Sequence, residues 1–248
     1  MISEVKLFDN MLLVFKKEFR AYFQSKIAWV IAVVYSLLTI GVCFFQNGFI
    51  NYQEPEMASF FITQFSLMLF IIPALTMRLW TEEKRIGTLE LTLSLPISYT
   101  ALTLGKFLAS FAICGLMELS TIGVWISYEL LSDANGLQIM ANYLILMLVC
   151  GSLCAVCLAV SVFCSQPVSA FIVSLAVCLL IAMVNTLNLA VISNSEDVLL
   201  RIENSVNFQN HFAYMIYGKI SLSGVLYFVS LTVFALWINV VSIGWRRN

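Results

Sequence analysis

The chain has 248 residues, 61% of them hydrophobic and only 11% charged, with a mean hydropathy of +0.94 and a net charge of −1. Soluble domains carry about 25% charged residues, so the composition excludes a soluble globular domain, and the balanced charge excludes a basic face for nucleic acid. The seven cysteines, at 43, 114, 150, 154, 157, 164 and 178, lie in or at the ends of apolar runs, which excludes a secreted disulfide framework.

Residues 5–25 read as a helix within an elbow over 1–26. Phe8, Leu12, Phe15, Phe19 and Tyr22 form an apolar stripe, with Lys6, Asp9, Lys17, Arg20 and Gln24 mainly opposite. It is too charged to span, so it is expected to lie in the membrane interface. The charges at Lys6, Asp9, Lys16, Lys17, Glu18 and Arg20 also interrupt any signal-peptide core.

A spanning helix needs about 20 mostly apolar residues. Six runs meet this: 27–45, 60–80, 107–130, 139–163, 168–192 and 222–244. The fold expected is an all-α integral membrane protein with six transmembrane helices in a single domain over 1–248. Pro73 is expected to kink the second span.

Between the second and third spans, Thr81 is expected to cap a helix over 81–95. Glu82 and Glu83 then fall in its first turn, where acids suit the helix dipole. Ile86, Leu89 and Leu93 follow at helical spacing, and Pro96 ends the element. Ser98 or Thr100 starts the next helix. A short helix joined to two spans can pass a push from a soluble partner into both.

Glu118 lies midway along the third span. A carboxylate at that depth is costly and marks a functional candidate: it faces a substrate path or pairs across a dimer, or it is a protonated or hydrogen-bonded packing residue near Ser120 and Thr121. Cys150, Cys154 and Cys157, continued by Ser161 and Cys164, form a helical face that suits either a soft metal or close helix packing. Gly151, Ala155 and Ala159 favour packing, and no metal is expected. Asn185, with Asn188, sits near the outer end of the fifth span. Residues 193–221 read as an outer loop or re-entrant segment with the single histidine, His211.

Basic residues set orientation. Five precede the first span, four (Arg78, Lys84, Arg85, Lys106) lie between the second and third, and two (Arg246, Arg247) follow the sixth. These eleven of thirteen share one side of a six-span arrangement. Both termini and the 81–95 element are therefore expected to be cytoplasmic.

The run RLWTEEKRIGTLELTLSLPISYTALTLGK resembles the coupling segment of type-2 ATP-binding-cassette (ABC) exporter permeases, approximately R-x-x-x-E-E-x-R-x-G-T-x-E-x-L-x-x-x-P followed by a G-K pair. Arg78, Glu82, Glu83, Arg85, Gly87, Thr88, Glu90, Pro96, Gly105 and Lys106 carry the likeness, and Leu91-Thr92-Leu93 departs from the commoner Leu-Leu pair. The branch it resembles most is that of gliding-motility and nitrous-oxide-reductase accessory permeases. The likeness covers almost the whole chain, including the elbow helix and the run from Asn210 to Phe228.

The resemblance implies a bacterial inner-membrane exporter permease that pairs with a second permease subunit, as a homodimer or with a paralogue. Separate ATPase subunits, carrying ATP and magnesium, would grip the coupling helix through Arg78, Glu82, Glu83, Arg85, Gly87, Thr88 and Glu90. Pro73, Glu118, Asn185 and His211 are the candidates for substrate path or gating. No cofactor or enzymatic activity is expected in this chain: the P-loop pattern is absent, since Gly105-Lys106 precedes Phe107 and Gly218-Lys219 precedes Ile220. A lipid-like or amphipathic cargo is favoured by the apolar interior, and membrane lipid is an expected partner. The competing readings are a secondary transporter, for which no internal repeat is seen, and an ABC membrane subunit that transmits force without cargo. Intramembrane proteases need histidines within the spans.

Overall fold

The computed structural model describes residues 2–46, 57–94, 97–131, 136–183, 208–218 and 221–245. Every element in them is helical. In chain order they are α1 (Ile2–Gln24), α2 (Lys26–Gln46), α3 (Met57–Thr76), α4 (Arg78–Ile86), α5 (Leu89–Ser94), α6 (Tyr99–Leu119), α7 (Ile122–Leu131), α8 (Gly136–Phe163), α9 (Pro167–Met183), α10 (Phe208–Ile216) and α11 (Leu222–Trp245).

Four segments among the described residues are long and apolar enough to cross a membrane: Ala58–Ile86, Tyr99–Ser127, Gly136–Phe163 and Leu222–Trp245. Helices α1 and α2 meet the same test as a pair bent by 72°. The chain is therefore a multi-pass all-α membrane protein. The fifth expected span begins in α9, a helix of 17 residues, and 184–192 lie outside the described residues.

Helix α8 is the centre of the bundle. It carries no charged residue, and its buried positions run from Ile139 to Val162. Helices α3, α6, α9 and α11 pack around it. Its small residues bring the neighbours close: Ala155 and Ala159 meet Ala235 of α11. In an apolar solvent, such close van der Waals approach is a main source of helix association.

Helix α1 lies along α6. A Cβ added at Gly105 of α6 would sit 2.7 Å from Val14 Cβ and 2.9 Å from the Met11 carbonyl. The face of α1 turned inward is thus Met11, Val14, Glu18 and Tyr22. This corrects the apolar stripe read from sequence: Phe8 and Leu12, at 58% and 36% exposure, lie on the outer side. The rotation is set by the contact at Gly105 and by a charge on the next residue of α6.

The element expected over 81–95 is also corrected. Thr81 does not cap a helix. It is buried inside α4, and its hydroxyl donates to the Met77 carbonyl. Glu82 and Glu83 accordingly fall in the second half of α4, not its first turn. Helix α4 continues α3 with only Met77 between them, so Ala58–Ile86 runs nearly as one rod. The interruption lies four residues beyond Pro73, with the Thr76 hydroxyl on the Ile72 carbonyl and Met77 N–H on that of Pro73.

Gly87 then ends α4. Its φ of 76° is left-handed, and the N–H groups of Gly87 and Thr88 close on the Lys84 and Glu83 carbonyls. Only glycine takes that conformation without strain. The single stripe Ile86–Leu89–Leu93 is thereby split: Leu89 and Leu93 pack inward on α5, and Ile86 is 62% exposed on α4. Ser98 caps α6, its hydroxyl accepting from Ala101 N–H at 3.2 Å.

Gly105→Ala should force α1 off α6. Overpacking of this kind costs about 1–3 kcal/mol, read as a lower unfolding temperature of the purified protein and faster proteolysis of α1. Gly41→Ala, where added volume meets open space, should change neither.

Candidate functional site

The polar end of the bundle is built on Lys106. Its side chain is fully buried, yet its ammonium lies 2.9 Å from Glu83 Oε1 of α4 and 3.0 Å from Glu18 Oε1 of α1. It also donates to the Leu79 carbonyl and sits 4.7 Å from the centre of the Trp80 ring. Lys17 adds a second cation, 3.1 Å from Glu83 and 3.6 Å from Glu18. The four charges sum to zero. Burial works against the charge on Lys17, but Glu83 and Glu18 outweigh it and raise its pKa. The arrangement fastens three helices at one point.

Lys84, next to Glu83, performs a different task. It donates to the carbonyls of Val162 and Cys164, and to that of Ser161 at 3.5 Å, the free carbonyls at the end of α8. A cation there satisfies orphan acceptors and the helix dipole together. Helix α4 is therefore held to α1 and α6 by one residue and to α8 by the next.

The remaining motif residues divide by exposure. Arg85, Ile86, Gly87, Glu90 and Leu91 face outward. Ile86 at 62% and Leu91 at 68% are large apolar side chains presented at the charged end of the bundle. Glu82 lies 3.9 Å from Arg85 across one turn. Thr88 bridges α4 and α5 through its contact with the Glu83 carbonyl. Arg78 turns away from this face and donates to Ser25 Oγ at 3.2 Å. The motif thus places an exposed face over an interior fastening, and it does not bring Arg78 to that face.

A second polar group lies inside the bundle, where α6 gives way to α7 at Ser120 and Thr121. Glu118 is 2% exposed, and its Oε1 accepts the Tyr35 hydroxyl of α2 at 2.9 Å. The Thr121 hydroxyl contacts the Glu118 carbonyl at 2.7 Å and the Tyr143 hydroxyl of α8 at 2.9 Å, and it accepts from Gln64 Nε2 of α3 at 3.0 Å. Ser36 and Ser120 approach to 2.8 Å. Glu118 Oε2 and Gln64 Oε1 are buried without a hydrogen-bond partner. The node joins α2, α3, α6, α7 and α8 through side chains that the sequence scatters over a hundred residues.

Other candidates fall elsewhere. Pro73 is buried in α3. His211 stacks on Tyr227 at 4.9 Å, packing α10 against α11. Asn185 lies outside the described residues. The cysteines meet in pairs across helix contacts, Cys114 with Cys154 at 3.6 Å and Cys157 with Cys178 at 3.3 Å, and among the described residues no three His, Cys, Asp or Glu side chains are grouped to hold a metal ion.

Reading the sequence missed Glu18, Lys17, Tyr35 and Gln64 as partners. The one signal for Glu18 is a carboxylate four residues after Val14 on a helix otherwise apolar on that face.

Apolar helices around a charge-free central helix, with a charged motif segment at one end, define the chain as a multi-pass membrane protein. Residues 12–244 match the family described as ABC-2 family transporter protein, and the chain belongs to that family. It is thus the permease component of an ABC transporter. No curated protein matches the sequence.

Lys106→Met should leave Glu18 and Glu83 with only the largely exposed Lys17 ammonium beside them. Breaking a buried pair in this way costs about 3–5 kcal/mol, measurable by thermal unfolding in detergent, and Lys106→Met with Glu18→Gln and Glu83→Gln should recover most of it. Glu118→Leu should strand the Tyr35 hydroxyl at about 1–3 kcal/mol, whereas Glu118→Gln keeps an acceptor and should lose less.

Proposed function

We propose that the chain is the membrane subunit of an ATP-driven exporter, with α4 and α5 as the element gripped by a separate ATPase subunit. The observation that carries this reading is the division of the motif. Glu83, Lys84 and Lys106 tie α4 to three other helices, α1, α6 and α8, while Arg85, Ile86, Glu90 and Leu91 are left outward. Two exposed aliphatic side chains rimmed by charges are what a docking surface presents. Movement of the gripped face would pass through Lys106 and Lys84 into α1, α6 and α8 together. A partner can drive such a switch only by contacting its two states differently.

The distribution of basic residues supports placing both termini and the α4–α5 end in the cytoplasm, within a six-span arrangement in a bacterial inner membrane. A second permease subunit would complete the assembly, as in the gliding-motility and nitrous-oxide-reductase branch that the sequence resembles. A lipid-like or amphipathic cargo suits the apolar interior.

The test is purification from the native membrane in mild detergent, followed by an ATPase assay. A soluble subunit that co-purifies and hydrolyses ATP is the expected result. Ile86→Asp with Leu91→Asp should leave the permease folded and weaken retention of that subunit by about ten- to a hundredfold, the usual effect of losing anchor residues. Undiminished retention in that double variant would refute the docking face. A single-chain preparation without ATPase activity would count against the proposed ATPase pairing.

A further inference from the structure

The angle between α1 and α2 encloses a polar pocket that opens beside an apolar groove. The pocket, of about 90 Å³, is lined by Glu18, Tyr22, Ser25, Arg78 and Glu82 with apolar residues of α2, α3 and α4. The groove, of about 540 Å³, runs between α2 and α6 past Trp29, Val33, Leu37, Ile113 and Leu116. Tyr22 and Ala28 line both.

Arg78 decides what the pocket suits. Its one recorded contact is the uncharged Ser25, and among the described residues no carboxylate lies within ion-pairing distance of it. An arginine has five donors in a planar fork that matches phosphate oxygens. Of the two carboxylates in the wall, Glu18 is committed to Lys106 and Lys17, and Glu82 is left half-exposed with only a long contact to Arg85. One guanidinium and one available carboxylate a single helical turn apart complement a headgroup with a phosphate and an ammonium. The groove beside them is almost wholly apolar, and Trp29 and Leu37 are 56% and 66% exposed along it.

We propose that this site holds a phospholipid with a zwitterionic phosphoethanolamine headgroup, its phosphate on Arg78, its ammonium toward Glu82 and an acyl chain in the α2–α6 groove. The lipid comes from the surrounding bilayer. It wedges between α1 and the α3–α4 rod and thereby supports the same fastening that Lys106 makes. The inference rests on the membrane placement of the chain and needs no ATPase partner.

The test is native mass spectrometry of the full-length protein reconstituted in bilayers of phosphatidylethanolamine and phosphatidylglycerol in equal parts, then released into detergent. Retention of phosphatidylethanolamine over phosphatidylglycerol is expected. Arg78→Gln should reduce it about tenfold, the loss of one charge-assisted contact. Ala28→Trp, which blocks the junction of pocket and groove without touching Arg78, should do the same and covers the case in which the arginine variant misfolds. Equal retention of both lipids, or unchanged retention in both variants, would overturn the proposal. So would a disulfide-linked dimer formed through Val33→Cys, since a second copy of the chain would then fill the groove.

Discussion

Everything at the charged end of this protein depends on one buried ammonium. Taking a lysine out of water costs several kcal/mol unless the site supplies compensating charge and hydrogen bonds. Lys106 receives two carboxylates, a carbonyl and the face of an indole. Those partners come from α1 and α4 and meet a lysine of α6, so neither carboxylate can leave without weakening the compensation of a buried charge. The cluster thereby fastens α1, α4 and α6 at a single point. The apolar contacts below it, Val14 and Leu79 with Leu102 and Leu158, are non-directional. The ion cluster gives them one register.

Gly105 and Lys106 act as a pair. The glycine lets the α1 backbone come within contact of α6, and the lysine then finds Glu18 one turn along α1. Either residue alone would be ineffective: a larger residue at 105 would hold Glu18 out of reach, and without the charge at 106 the close approach would leave a carboxylate buried. A two-residue motif in the sequence is therefore a statement about the position of an entire helix.

This explains what was legible beforehand. The apolar runs, the all-α class and the importance of the 78–106 segment followed from hydropathy and motif, because the membrane punishes any other arrangement of backbone polar groups. The end of α4 did not, since Gly87 reads as one motif letter until its left-handed conformation is seen. The orientation of α1 was misjudged from its stripe, because α1 has apolar residues on two faces and a tertiary contact chose between them. Glu118 was visible as a costly carboxylate. Its partner Tyr35, and the Gln64 and Tyr143 that meet the neighbouring Thr121, were not, since each is an ordinary polar residue in its own helix, and pairing across 83 or 57 residues leaves no local signal.

The near-continuity of α3 and α4 gives the molecule a stiff member that crosses it from end to end. Gln64, at the interior node, and Glu83, at the charged fastening, are nineteen residues apart on it, about 28 Å at the helical rise of about 1.5 Å per residue. An α-helix barely compresses, so axial movement at one of these points arrives at the other undiminished. A tilt is different: about its midpoint, the two ends swing in opposite senses. Under such a tilt the 3.0 Å hydrogen bond from Gln64 to Thr121 would be strained. Displacement of the rod at Glu83 would thus be felt where α6 gives way to α7.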